Sequence, residues 1–183
     1  MIFLDFEASA LLPGSYPIQV GWCDEDGIGE EHLIRPEIGW TEWDYNSQQI
    51  HGITQGDLAI KGVPAADVAR RVIAALAGHE VYSDAPGWDG GWLDTLLEVG
   101  DYPPDAVRLI GVGQAYGVEC RRLLPTFDGD QDVLRQRMLD IVRSAQVDEE
   151  RDHGRRHCAL ADAQSLWRTW IEVRRRVDEA LRT

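Results

Sequence analysis

The chain has 183 residues, 44% of them hydrophobic, and a formal net charge of −14. That size supports one domain with a real core, spanning 1–183, and the apolar fraction excludes a disordered chain. No apolar run reaches the roughly 20 residues of a membrane helix, and the net charge disfavours broad phosphate neutralisation on a long duplex.

The elements follow in chain order. Residues 2–8 form a compact apolar run interrupted by Asp5 and Glu7, and residues 16–23 read as a second strand. A turn at 24–27 leads to a third strand over 28–34, which gives an antiparallel meander. Residues 36–46 read as a loop with Trp40 and Trp43. Thr54 has the chemistry of a helix N-cap, with Asp57 at the third helical position. Residues 64–77 form a helix with Pro64 in its first turn, one apolar face and Gly78 as its stop. A buried strand over 79–83, a helix over 88–99 and a strand over 107–112 follow. Residues 130–147 are helical, 148–156 a polar mobile loop, and 159–181 a long final helix.

The three cysteines, Cys23, Cys120 and Cys158, form no Cys-x-x-Cys pair. They suit a reducing compartment better than a zinc site or disulfide framework. The amino terminus lacks a basic region and enters a strand at once, so the expected location is cytoplasmic and away from membranes. The charge is uneven. Up to residue 60 a single arginine faces eleven acids, whereas from Arg151 onward eight arginines face five acids. This tail either holds a short strand end or merely solvates helix faces.

Asp5 and Glu7 lie two apart on a strand, so both leave the same face, while Leu4 and Phe6 point to the core. Paired carboxylates repel and resist burial, and a divalent cation is the natural counter-charge. Alone, the pair is equally well read as a strand end with two solvated acids. His157 and Asp162 are five apart and cannot share a helix face. His157 therefore belongs to the preceding loop or first turn, with Asp162 inside the helix. The small Ala159, Ala161 and Ala163 let that helix approach the sheet. A histidine at such a junction suits a general base, although a lone histidine before a helix is usually only surface. His153 is its rival. The middle acid lies in Ser83-Asp-Ala-Pro-Gly-Trp-Asp-Gly-Gly-Trp-Leu93. Asp89 at the helix start is preferred over Asp84, yet Asp89 also reads as a simple cap. Trp88 and Trp92 read as core.

With these motifs the chain resembles the DEDDh group of 3′–5′ exonucleases, which includes oligoribonuclease, ribonuclease T and polymerase proofreading subunits. Asp5-Phe-Glu7 matches the first motif, Trp88-Asp89-Gly-Gly-Trp92-Leu93 the second half of the middle one, and His157-Cys-Ala-Leu-Ala-Asp162 the third. His51 to Thr54 matches a segment that often follows the early strands. The middle motif departs, because its asparagine position is not filled; Asp84 lies one residue too far away.

The resemblance implies an α/β ribonuclease H-like fold, with a mixed five-stranded sheet, three antiparallel strands first, flanked by helices. It implies two Mg²⁺ or Mn²⁺ ions on Asp5, Glu7, Asp89 and Asp162, with His157 as base, and release of 5′-mononucleotides from a single-stranded 3′ end. Ala8, Ser9 and Leu11 would contact the terminal nucleotide, and a homodimer would have precedent. Size and acidity tilt the substrate slightly toward short RNA. The alternatives are a DNA exonuclease of proofreading or repair, or a catalytically inactive nucleic-acid or protein binding module of the same fold.

Overall fold

The computed structural model describes residues 1–127, 129–153 and 157–182, with the side chain of His153 outside that set. Strands β1 (Ile2–Ala8), β2 (Pro17–Asp24) and β3 (Gly29–Arg35) form the expected antiparallel meander. Strands β4 (Val63–Pro64), β5 (Val81–Ser83) and β6 (Leu109–Gly111) complete a mixed sheet of order β4-β3-β2-β1-β5-β6. The sheet thus has six strands where five were expected. The extra one is the two-residue β4, paired parallel with β3 just before a helix. It is too short to leave a periodic pattern in the sequence.

Helices α1 (Tyr45–His51), α2 (Gln55–Lys61), α3 (Ala65–Leu76) and α4 (Pro86–Val99) precede β6. After it come α5 (Gly113–Cys120), a 3-10 segment (Arg121–Thr126), α6 (Gln131–His153) and α7 (Ala159–Ala180). Thr54 caps α2 in a full capping box with Asp57, as its spacing predicts. The expected loop over 36–46 ends early, because Asp44 caps α1 by accepting from the amides of Asn46 and Ser47. That helix buries no residue, so it carries no amphipathic signal. The polar stretch 148–153, expected as mobile loop, continues α6. Residues 154–156 of that expected loop lie outside the described residues.

Alternation along β1 and β2 divides the core. Leu4, Phe6, Val20 and Trp22 face one layer with α3 and α4. Phe3 and Cys23 face the other, with Tyr116 of α5, Leu134 of α6 and Trp170 and Val173 of α7. Asp5 and Glu7 share the parity of Phe3 and therefore open toward α7. No helix of the described residues is long and apolar enough to cross a membrane.

Candidate active site

Asp5 and Glu7 emerge from β1, the strand at which the sheet changes direction, with the antiparallel β2 on one side and the parallel β5 on the other. Such switch points leave a crevice at the strand ends, where ligands gather. The opposite partner of Asp5 is Gly21, and that of Glu7 is Gln19. Both explain why α7 lies where it does. A Cβ on Gly21 would stand 2.2 Å from the amide nitrogen of Leu160 and 2.4 Å from the carbonyl carbon of Ala159. The bare glycine thus admits the backbone of α7 directly onto the sheet. Gln19 then accepts from the amide of Ala159 at 3.2 Å, satisfying an N–H that the capless helix start leaves open. Its own amide donates to Glu31 at 3.3 Å.

This docking brings Asp162 to β1. Asp162 also accepts from the amide of Cys158 at 3.1 Å, which fixes its rotamer over the first turn. His157 precedes the helix with φ 45°, in the left-handed region that few non-glycine residues adopt. Ligand atoms of Glu7, His157 and Asp162 all lie within 4.8 Å of one another. The expected arrangement, His157 before the helix and Asp162 inside it, is the one observed.

The second wall is the β5–α4 junction. Asp89 is 2% exposed in the first turn of α4 and accepts from the hydroxyl of Ser83. Asp5, Asp84 and Asp89 form a second trio, again with ligand atoms within 4.8 Å of one another. Asp84 and Asp89 thus both stand beside Asp5, Asp84 exposed and Asp89 buried. Trp92 is core, but Trp88 is not: 47% exposed, it stacks on Trp92 at 5.7 Å and lines the cavity. The expectation that both tryptophans are core is corrected for Trp88, because in the first turn of α4 its outer face opens onto the cavity.

Of the three expected nucleotide contacts, Leu11 lines the cavity and is 63% exposed. Ala8 instead packs in the core, and the buried hydroxyl of Ser9 accepts from the amide of Tyr16 at 3.1 Å. The HGIT segment places His51 at the end of α1, its Nδ1 accepting from the amide of Ile53 at 3.0 Å. Sequence reasoning missed Gly21, Gln19 and Tyr116. The last is buried on α5, lines the cavity and donates to the carbonyl of Leu166 at 3.2 Å. Gly21 within a strand was the one available signal, since a glycine there marks close backbone approach.

The electrostatics are one-sided. Asp5 is pushed well above the usual carboxylate range, by burial first and then by Asp89, Glu7, Asp84 and Asp162. Burial and the charges of Asp162 and Asp89 raise Glu7 to about 7. Burial likewise raises Asp89 to about 7, against the lowering effect of the Ser83 hydrogen bond. The α6 wall adds Glu149 and Glu150, and no lysine or arginine among the described residues lines the cavity. The arginines of the tail are engaged elsewhere. Arg168 pairs with Glu149 at 2.8 Å, Arg176 with Asp148 at 2.5 Å and Arg175 with Glu172 at 2.6 Å. Arg168 and Arg176 thus tie α7 to α6, Arg175 pairs along its own helix, and Arg155 and Arg156 lie outside the described residues.

No protein-family model matches the sequence, and no curated protein matches it. Solved structures do. The fold is that of exonuclease I. The Escherichia coli enzyme, in its zinc-bound complex with single-stranded DNA, superposes with a TM-score of 0.64 at 15% identity over 98% of this chain. Its complex with a dT13 oligonucleotide gives 0.64 at 17% identity over the whole of it. Exonuclease I of Methylocaldum szegediense gives 0.53 at 15% identity over 70%. At these identities the likeness is one of fold. The chain spans 42–43% of the length of the E. coli chains and 30% of the Methylocaldum one.

Gly21 offers a direct check on the docking argument. Gly21→Ala is expected to keep the fold, push the start of α7 outward and cut any activity on the order of 10²-fold, the usual cost of misplacing a reacting group by about 1 Å. Circular dichroism and turnover together decide it; wild-type turnover in a folded Gly21→Ala protein would mean that α7 does not set the position of Asp162.

Proposed function

We propose that this chain is a metal-dependent 3′–5′ exonuclease that removes nucleotides from single-stranded ends. The observation that carries the reading is the convergence of Asp5, Glu7, Asp89 and Asp162, from three separated segments, on one cavity. There Asp5 and Glu7 meet no hydrogen-bond donor among the described residues. A carboxylate set of this kind destabilises the fold unless a cation joins it. The oxygen-rich donor set fits Mg²⁺ or Mn²⁺, and His157 adds one nitrogen. Asp5, Glu7, Asp89 and Asp162 would hold two such ions. When bound, the ions supply charge neutralisation at the scissile phosphate and a more acidic water.

The chain's own residues do the rest. His157 takes the proton from the attacking water, from a position fixed by its backbone and the start of α7. Ser83 holds Asp89 in one orientation. Trp88 presents an exposed aromatic face to an unpaired base, and Leu11 an apolar edge. The described cavity residues include no arginine or lysine, so their grip on a strand end comes through the ions. That selects a short single-stranded terminus over duplex. The exonuclease I neighbours bound to single-stranded DNA favour DNA over the short RNA that size and acidity had favoured. A homodimer has no support of its own.

The test uses end-labelled DNA and RNA oligonucleotides with Mg²⁺ or Mn²⁺, read at single-nucleotide resolution. Stepwise shortening from the 3′ end is expected. Cutting of a circular single strand as fast as a linear one would replace the exonuclease reading with an endonuclease. Trp88→Ala should raise KM about 5- to 100-fold with little change in kcat, since base–aromatic stacking is worth about 1–3 kcal/mol. An unchanged KM would remove Trp88 from the substrate path.

A further inference from the structure

We propose that Asp84, the first residue after β5, is a direct ligand of the second divalent ion, together with Asp5. The proposal rests on the nuclease reading above and adds an acid to the four that reading uses. The three acids of the trio are held differently. Asp89 is almost fully buried and already engaged by the hydroxyl of Ser83. Its remaining capacity to ligate is reduced and its movement restricted. Asp5 and Asp84 accept no hydrogen bond among the described residues, yet both bring an oxygen within 4.8 Å of the other two acids.

The position of Asp84 is not accidental slack. The carbonyl of Ser83 accepts from the amide of Val112 at 2.8 Å, and the amide of Ala85 donates to the Ser83 hydroxyl at 3.0 Å. The backbone is thus pinned on both sides of Asp84, with its side chain exposed on the cavity wall. There its carboxylate faces those of Asp5 and Asp89 across less than 4.8 Å, like charge against like. No ion pair among the described residues offsets it. A divalent ion between Asp5 and Asp84 turns this repulsion into attraction, and needs no rearrangement of Asp89. The small cations that suit the site take one or two carboxylates and complete their shell with water and substrate oxygens. Asp5 at the floor and Asp84 at the rim satisfy that requirement.

The test is Mn²⁺ binding followed by electron paramagnetic resonance, on wild type, Asp84→Asn and Asp89→Asn, without substrate. Wild type is expected to bind two ions. Asp84→Asn should keep the first with unchanged affinity and weaken the second at least ~10-fold. Its metal-free form should be folded and no less stable, because a repelled charge has gone; Asp84→Ala serves if the amide disturbs the loop. The deficit should persist in about 0.5 M KCl, where a purely long-range field is screened. Two tight ions in Asp84→Asn, or a deficit that salt abolishes, would overturn direct ligation and leave the nuclease reading intact. Wild type that binds no Mn²⁺ would overturn both.

Discussion

Replacing Asp5 by asparagine is expected to abolish nucleotide release while raising the melting temperature of the metal-free protein. The two effects have one cause. Asp5 stands where four other acids bear on it, and its ionised form is disfavoured by burial and by each of them. An amide removes that repulsion and also removes the shared ligand of both proposed ions. The sign in the wild type follows by linkage. Glu7 and Asp89 titrate near 7 in the folded chain, above ordinary values of 4.5 and 3.8. Between those limits the folded state holds more protons than the unfolded one, so stability is full below about pH 4 and falls as pH rises through about 7. A tenfold change in proton affinity is worth about 1.4 kcal/mol, so the fall is on the order of several kcal/mol. Asp57 and Glu172 are held low, at about 2, by their cationic and hydrogen-bonding partners. Their contributions are lost only below about pH 4, outside this window. Thermal melts with chelator between about pH 5 and 8 should therefore show a decline that Mg²⁺ or Mn²⁺ reverses and Asp5→Asn blunts. A metal-free protein that gains stability over that range would contradict the crowding of carboxylates at the site.

His157 should separate chemistry from ion binding. Its ring shares a 4.8 Å neighbourhood with Glu7 and Asp162, which leaves two roles open to it, base or ligand. The expected result is that His157→Asn loses ~10²–10⁴-fold in turnover, the range for a positioned base, while Mn²⁺ affinity stays near wild type. Asparagine is the better probe than alanine, because it tolerates the left-handed backbone that His157 adopts. Asp162→Asn should do the opposite and weaken ion binding first. If ion affinity and turnover fall together in His157→Asn, the histidine is a ligand and another group must take the proton. His153 closes α6, and turnover in His153→Ala is the matching control.

The sequence by itself determined the meander, the caps and the candidate acids, because each is a local matter. Alternation placed Asp5 and Glu7 on one face of β1, and the capping box of Thr54 and Asp57 needs only neighbours in sequence. Three motifs in order, with a histidine five before the last aspartate, carried the resemblance on which the proposed nuclease chemistry rests. Tertiary structure alone decided which groups meet. The absent side chain of Gly21 and the amide of Gln19 set the depth of α7, and no periodicity encodes a contact 140 residues away. The same holds for Trp88, whose spacing from Trp92 reads as core although its place in the first turn of α4 leaves it open to the cavity. Asp84 was ambiguous as a motif residue because a motif counts positions along the chain, whereas a cation counts oxygens in space. The helices α1 and α5 escaped for a related reason. One buries nothing, and the other carries Gly113 and Gly117 and is held by the packing of Ala115, Tyr116 and Cys120 against its neighbours. Local propensity and pattern describe what a segment prefers, and the site was built by long-range packing that overrode or ignored those preferences.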